Sequence, residues 1–207
     1  MESGAARVAE RAHVAVIGPG DPSEEERAQA FKVGALLGRA GAVVVCGGLG
    51  GVMEEVCRGA RSAVGAGGRA EAGGRAGAGG RTGAGGRGGE AAPDIGARST
   101  GAPAEPVTIG ILPGLDRRDA NPFVDVAIPT GLGELRNGLV VRASDAVIAI
   151  GGAFGTLSEI ALALKAGRRV VGLGTWELAR DGVADTTVVA ATDPADAVAI
   201  ALDAARR

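Results

Sequence analysis

The sequence predicts an α/β domain built as a Rossmann-like, doubly wound parallel sheet in three layers, α/β/α. Three observations predict it. Short, continuously apolar runs such as residues 42–46 and 146–150 have the length and the Val, Ile and Ala content of buried strands. Stretches of helical period lie between such runs. Three of the runs end in glycine-rich turns that lead directly into a helical pattern: Gly18-Pro19-Gly20, Gly47-Gly48-Leu49-Gly50-Gly51 and Gly151-Gly152-Ala153-Phe154-Gly155. Strands alternating with helices imply βαβ units and a parallel sheet. Right-handed crossovers then put every strand-to-helix turn at one carboxyl edge, where open α/β sheets bind their ligands. The three glycine turns are therefore expected to meet in space.

Taken in order, residues 1–12 are polar and small and read as a disordered tail. A strand over 13–17 runs into the first glycine turn. Ser23 is placed to cap the helix that follows, with Glu26 three residues on as its reciprocal partner and acid throughout the first turn. Ala30, Val33, Ala35, Leu36 and Leu37 give that helix its apolar face, and it ends near Gly41. The strand at 42–46 opens into the second glycine turn and a second helix. From about Val64 the composition shifts to Gly, Ala and Arg, with a repeat of six residues running from Gly67-Gly68-Arg69 to Gly85-Gly86-Arg87. The apolar residue that each turn of a β-helix requires is missing, so 67–103 reads as a disordered insertion, leaving 13–66 and 104–207 as the domain. No aromatics interleave the arginines of the insertion, and nucleic acid is not an expected partner.

Order resumes with a strand over 107–112, a polar loop over 115–122 and a strand over 123–129. A helix is expected over 130–143, with Leu135, Leu139 and Val140 inward and Arg136-Asn137 near its beginning. The strand at 146–150 and the third glycine turn precede a helix carrying Ile160, Leu162 and Leu164. Strands near 169–174 and 187–190 and a terminal helix opened by Asp193-Pro194 complete the chain.

Hydrophobic residues make up 46% of the 207 residues but aromatics only 2%, so the core must be aliphatic. A net charge of −2 gives no global pull toward nucleic acid or membrane, and no apolar run reaches the ~20 residues that span a bilayer. The first eleven residues lack the apolar stretch of a signal peptide, so the cytoplasm is the expected location. Cys46 falls in a strand pattern and Cys57 in a helical one, and without an export signal both are expected reduced and structural. One histidine and two cysteines leave no material for a zinc site or a histidine-based triad, so no metal is expected.

The third turn carries the chemistry. Its glycines, Gly151, Gly152 and Gly155, allow backbone N–H groups to approach a ligand, and the N-terminus of the following helix favours a phosphate there. Thr156 adds a hydroxyl donor. Glu159 sits in the first turns of the helix, where a carboxylate repels phosphate unless it faces another part of the ligand. Gly18 and Gly20 are candidates for a second wall of the same site, Gly47 and Gly48 for a third.

The combination of Gly47-Gly48-Leu49-Gly50-Gly51-Val52-Met53-Glu54, Arg136-Asn137 and Gly151-Gly152-Ala153-Phe154-Gly155-Thr156-Leu157-Ser158-Glu159 resembles the Lonely Guy (SLOG) superfamily of Rossmann-like nucleotide-binding proteins. The likeness covers all but the tail and the insertion. Arg136-Asn137 and the phrase from Ala143 to Gly152 look closer to the branch of molybdenum cofactor carriers than to the cytokinin-activating enzymes. Members are often labelled lysine decarboxylases, a label these residues do not support: no pyridoxal-binding lysine is evident.

The resemblance implies a phosphorylated nucleotide or a pterin-type ligand such as molybdopterin, held by Gly152, Gly155, Thr156 and Asn137, in a homo-oligomer, dimer or tetramer. Two alternatives stay open. As a nucleoside 5′-monophosphate phosphoribohydrolase, the protein would use Arg136 and Glu159 as its catalytic pair, the carboxylate stabilising oxocarbenium character at the sugar and orienting water. As a molybdenum cofactor carrier, it would use the same pocket without turnover. Gly151 stands where the enzymes have Pro, Ala153 where they have Gly, and Asn137 where they have Lys.

Overall fold

Strand β1, His13–Ile17, lies at the centre of a seven-stranded sheet and is buried from Val14 onward. The computed structural model describes residues 11–65 and 106–206; most of the expected tail and the whole of the 67–103 insertion lie outside the described residues. To one side of β1 come β2 (Val43–Cys46), β3 (Val107–Leu112) and β4 (Val126–Pro129). On the other side stand β5 (Ala146–Ile150), β6 (Arg169–Leu173) and β9 (Val188–Ala190). Every neighbouring pair is parallel. The chain steps outward from β1 to β4, returns to β5 and steps outward the other way, so the direction of winding reverses between β1 and β5. In open α/β sheets that reversal opens a crevice at the carboxyl edge.

Helices α1 (Glu24–Arg39), α2 (Val52–Gly65) and α5 (Pro194–Ala205) cover one face, and α3 (Asn137–Arg142) and α4 (Phe154–Lys165) cover the other. This is the α/β/α sandwich expected, in one domain, with its core in two aliphatic layers. Ser23 and Glu26 form the reciprocal cap of α1, and Asp193 caps α5 by accepting from the N–H groups of Ala195 and Asp196.

The close seating of α1 against α2 depends on glycines, of which Gly34 and Gly59 make the tightest approaches. A Cβ on Gly34 would lie 2.0 Å from the Val56 carbonyl oxygen, and one on Gly59 2.1 Å from that of Phe31. Backbone meets backbone at these points, so no side chain can yield. Gly59→Val should therefore push the helices apart and cost about 3 kcal/mol or more, as overpacking of a filled core does. Urea denaturation checks it, and a loss below about 1 kcal/mol would show that the helices can separate freely.

The structure corrects the sequence expectations at three places. The helix placed over 130–143 is instead a 3₁₀ turn, Gly133–Arg136, followed by the short α3. Leu135, expected inward, is 81% exposed and Leu139 41%, while Arg136 is buried in their stead. Left-handed backbone at Gly131 and Gly133 changes the phase of the segment, and the apolar period misassigned its inner face. The strand expected from 123 begins only at Val126, because Thr108 draws in the lead-in by donating to the Phe123 carbonyl and accepting from the Asp125 N–H. An antiparallel hairpin, β7 (Leu178–Arg180) and β8 (Val183–Asp185), occupies a stretch to which the sequence reading gave no strand. Its turn, Asp181-Gly182 with positive φ at both residues, is the residue pair that favours such hairpins.

Candidate functional site

A cavity of about 520 Å³ opens at the carboxyl edge where the winding reverses. Gly18 and Gly20 bring the end of β1 to its wall; Gly47, Leu49 and Met53 bring the turn after β2. Arg136 and Asn137 enter from the start of α3, and Ala153, Gly155, Thr156 and Glu159 from the start of α4. Four segments far apart in the chain thus meet as the topology requires. Gly48, Gly151 and Gly152 are not among the lining residues. Gly48 is folded against Gly110 and Leu112, and Gly152 is packed on Thr156 and Trp176.

Gly151 answers a question of type. Its φ of +56° is closed to proline, and its missing Cβ is replaced by the Glu26 carboxylate, 1.6 Å from where that atom would stand. A proline could not stand at Gly151 without a change in the path of this turn.

Helix α4 begins without a side-chain cap. Ala153 takes the cap position in extended backbone, φ −97° and ψ −171°, and supplies no acceptor. At α1 and α5 a serine and an aspartate fill that role; at the helix that faces the cavity, nothing of the kind competes with an incoming anion.

Arg136 and Glu159 form the polar floor, and each is only 8% exposed. The Arg136 Nη1 donates to the Asn137 Oδ1 at 2.7 Å and stands 3.7 Å from the Glu159 Oε1, an ion pair too long to be a hydrogen bond. The Arg136 Nε is buried without a partner. The guanidinium occupies the space beside Gly47, where a Cβ would lie 2.6 Å from Nη2. Burial pushes the Glu159 carboxyl up to about 7, against the opposing pull of Arg136. The floor thus holds one cation with unused donors and one carboxyl near half-protonation at neutral pH. Such a pair can hold an anion and can exchange a proton with it.

Leu49, Met53 and Pro113, apolar residues of the cavity lining, were not among the site residues expected from the sequence, and neither was Asn121. Asn121 is buried in the loop before β4. Its Nδ2 donates to the carbonyls of Gly48 and Leu49 at 3.3 and 2.9 Å, and its Oδ1 accepts from the Phe123 N–H, so it clamps the turn after β2 from outside. An Asn-Pro pair in a polar loop was its only signal. The two cysteines, read as separate structural residues, are both free and lie with their sulfurs 3.6 Å apart. Among the described residues, no three His, Cys, Asp or Glu side chains gather as metal ligands, and no helix is long and apolar enough to cross a membrane.

A family model described as the SLOG cluster4 family matches residues 11–67 and 78–198. An uncharacterized protein of Archaeoglobus fulgidus is 35% identical over 161 residues, 77% of this chain and 78% of its own. The molybdenum cofactor binding protein of the phototrophic bacterium Rippkaea orientalis superposes with a TM-score of 0.67 at 27% identity, over 94% of this chain and 98% of its own. The molybdenum cofactor carrier protein of Chlamydomonas reinhardtii does so with 0.65 at 26% identity, over 96% and 100%.

Proposed function

The chain belongs to the SLOG cluster4 family, and on that footing we propose that it binds a phosphorylated pterin or nucleotide in the cavity between β1 and β5, as a carrier of the molybdenum cofactor type. One observation carries the reading: the buried Arg136, with an unpartnered Nε, faces the uncapped start of α4 across a cavity of about 520 Å³. The phosphate takes the N–H groups at Gly155 and Thr156, the Thr156 hydroxyl and the guanidinium; the ring system packs on the apolar lining residues Leu49, Met53 and Pro113. The identities of proteins sharing the fold favour a pterin. Mass spectrometry and post-oxidation fluorescence of protein freshly purified from a cofactor-producing host test it. A bound pterin is expected, and absence of both a pterin and any calorimetric binding of molybdopterin or AMP overturns it.

A second reading is favoured by Glu159. A carboxyl near 7 beside a cation suits N-glycosidic hydrolysis of a nucleoside 5′-monophosphate, with Arg136 as its partner. Chromatography of AMP incubated with the protein would then show free base, at a rate abolished in Glu159→Ala.

Trp176 offers a direct readout, since it is the single tryptophan in the chain. Its Nε1 donates to the Ala153 carbonyl at 3.3 Å, and its ring lies 5.6 Å from that of Phe154. Filling the start of α4 should change its emission in proportion to occupancy. Titration with AMP and molybdopterin is expected to give a saturable change, and a flat trace alongside calorimetric binding would move the ligand away from this turn.

The reading includes a homo-oligomer. Val126 and Ile128 pair with Ile109 and Ile111 on the face that α3 and α4 share, yet both are exposed, as are Leu135, Leu139 and Leu162. Light scattering should give a mass of twice or four times the 20.2 kDa chain.

A further inference from the structure

Cys46 closes β2 and Cys57 lies in α2, and their sulfurs stand at van der Waals contact, 3.6 Å, with both residues fully buried and neither in a disulfide. A disulfide bond is ~2.05 Å long, so closing it needs an approach of about 1.5 Å. The two sulfurs are not equivalent. The Gly48 N–H donates to the Cys46 sulfur at 3.4 Å. Cys57 shares its proton with Cys46, and the charge of Arg136 acts the same way, so the Cys46 thiol is held below its usual range. The same shared proton, together with burial, holds the Cys57 thiol above its own. Cys46 is therefore the nucleophile. The residue after it, Gly47, lines the cavity, as does Met53, whose carbonyl lies 3.9 Å from the Cys46 sulfur.

We propose that Cys46 and Cys57 form a peroxide-oxidisable dithiol whose conversion to a disulfide distorts the Gly47-Gly48 turn and with it the seat of Arg136. The Cys46 thiolate attacks one peroxide oxygen; the O–O bond breaks, and the departing oxygen takes the thiol proton and leaves as water. Cys46 is then a sulfenic acid. The Cys57 sulfur attacks the Cys46 sulfur, an S–S bond forms as the S–O bond breaks, and the hydroxyl leaves as a second water with the Cys57 proton. Two thiols lose two electrons and one hydrogen peroxide becomes two waters. In the disulfide, the Cys46 sulfur no longer serves as a good acceptor for the Gly48 N–H and has moved toward α2. The turn that carries Gly47 must follow, and the Arg136 guanidinium packed beside Gly47 must shift with it.

The test needs no ligand, so its outcome is separate from that of the binding reading. The full chain is treated with hydrogen peroxide, denatured and alkylated, then mapped by mass spectrometry, with a parallel hydrogen-exchange run on the native protein. The expected result is a loss of two hydrogens, neither cysteine alkylated, peptides containing Cys46 and Cys57 linked, and full reversal by dithiothreitol. Exchange over residues 47–51 should quicken by about tenfold in the oxidised form. Cys57→Ala should carry Cys46 to the sulfinic acid without a link; should that variant not fold, the unaltered chain decides alone. Two alkylatable thiols after peroxide, over-oxidation without a link, or a link with unchanged exchange at 47–51 would each overturn the proposal.

Discussion

Arg136→Met is expected to weaken the binding of AMP or molybdopterin by about a hundredfold or more while leaving the fold intact at mildly acidic pH. A charge-assisted hydrogen bond contributes about 1.5–3 kcal/mol, and this guanidinium has more than one donor to offer. Its present partners do not use them: one bond to the Asn137 Oδ1, a carboxylate at 3.7 Å and an Nε with nothing. Burying a cation so incompletely paired is costly, and the cost is offset when an anion arrives already desolvated. Methionine keeps the apolar stem and removes the charge. Removal of one member of a buried ion pair ordinarily destabilises by about 3–5 kcal/mol, through the charge left behind. Here the remaining group can take up a proton, since Glu159 already sits at about 7 and loses in the variant the influence that lowered it. Calorimetry at pH 6 should therefore show lost binding with a melting temperature close to that of the parent, and the Glu159 carboxyl should titrate above 7 by carbon NMR. Affinity within twofold of the parent would place the anion elsewhere.

The site's framework was legible because it follows from topology. Three strand-to-glycine-to-helix junctions in a parallel sheet must open at one edge, so Gly18, Gly47 and Gly155 were bound to converge wherever the strands paired. What escaped is what depends on side chains from outside those junctions. Nothing in a glycine turn announces that Glu26, remote in the chain and on another helix, fills the place of a Cβ at Gly151, or that Asn121 clamps Gly48. Leu135 misled for a physical reason: a short segment rich in glycine can change phase, and apolar period then points the wrong side chain inward. Cys46 and Cys57 each matched its element, but a contact between strand end and helix middle is tertiary information.

Glu159→Gln should flatten the pH dependence of both stability and binding, because this carboxyl titrates in the neutral range. Its folded value, about 7, lies above the ordinary 4.5, chiefly through burial. A carboxyl raised on folding binds its proton more tightly in the native state, so its contribution is complete below about 4.5 and is lost as pH rises toward 7. Each tenfold gain in proton affinity on folding corresponds to about 1.4 kcal/mol, and the parent should lose about 3 kcal/mol of stability relative to the variant between pH 4.5 and 8. Urea denaturation of both proteins across that range measures the difference directly, and parallel curves would mean that Glu159 is not desolvated. Binding follows the same sign. Above 7 an ionised Glu159 both repels a phosphate at the start of α4 and competes for the Arg136 guanidinium, so parent affinity should fall about tenfold more than variant affinity between pH 6 and 8. The comparison with glutamine cancels the phosphate's own titration near 6, which both proteins meet alike. If base release from AMP occurs, its rate should instead rise through 7 in the parent, as the carboxylate forms, and be absent at every pH in the variant; the two pH profiles together separate a protein that holds its ligand from one that cleaves it.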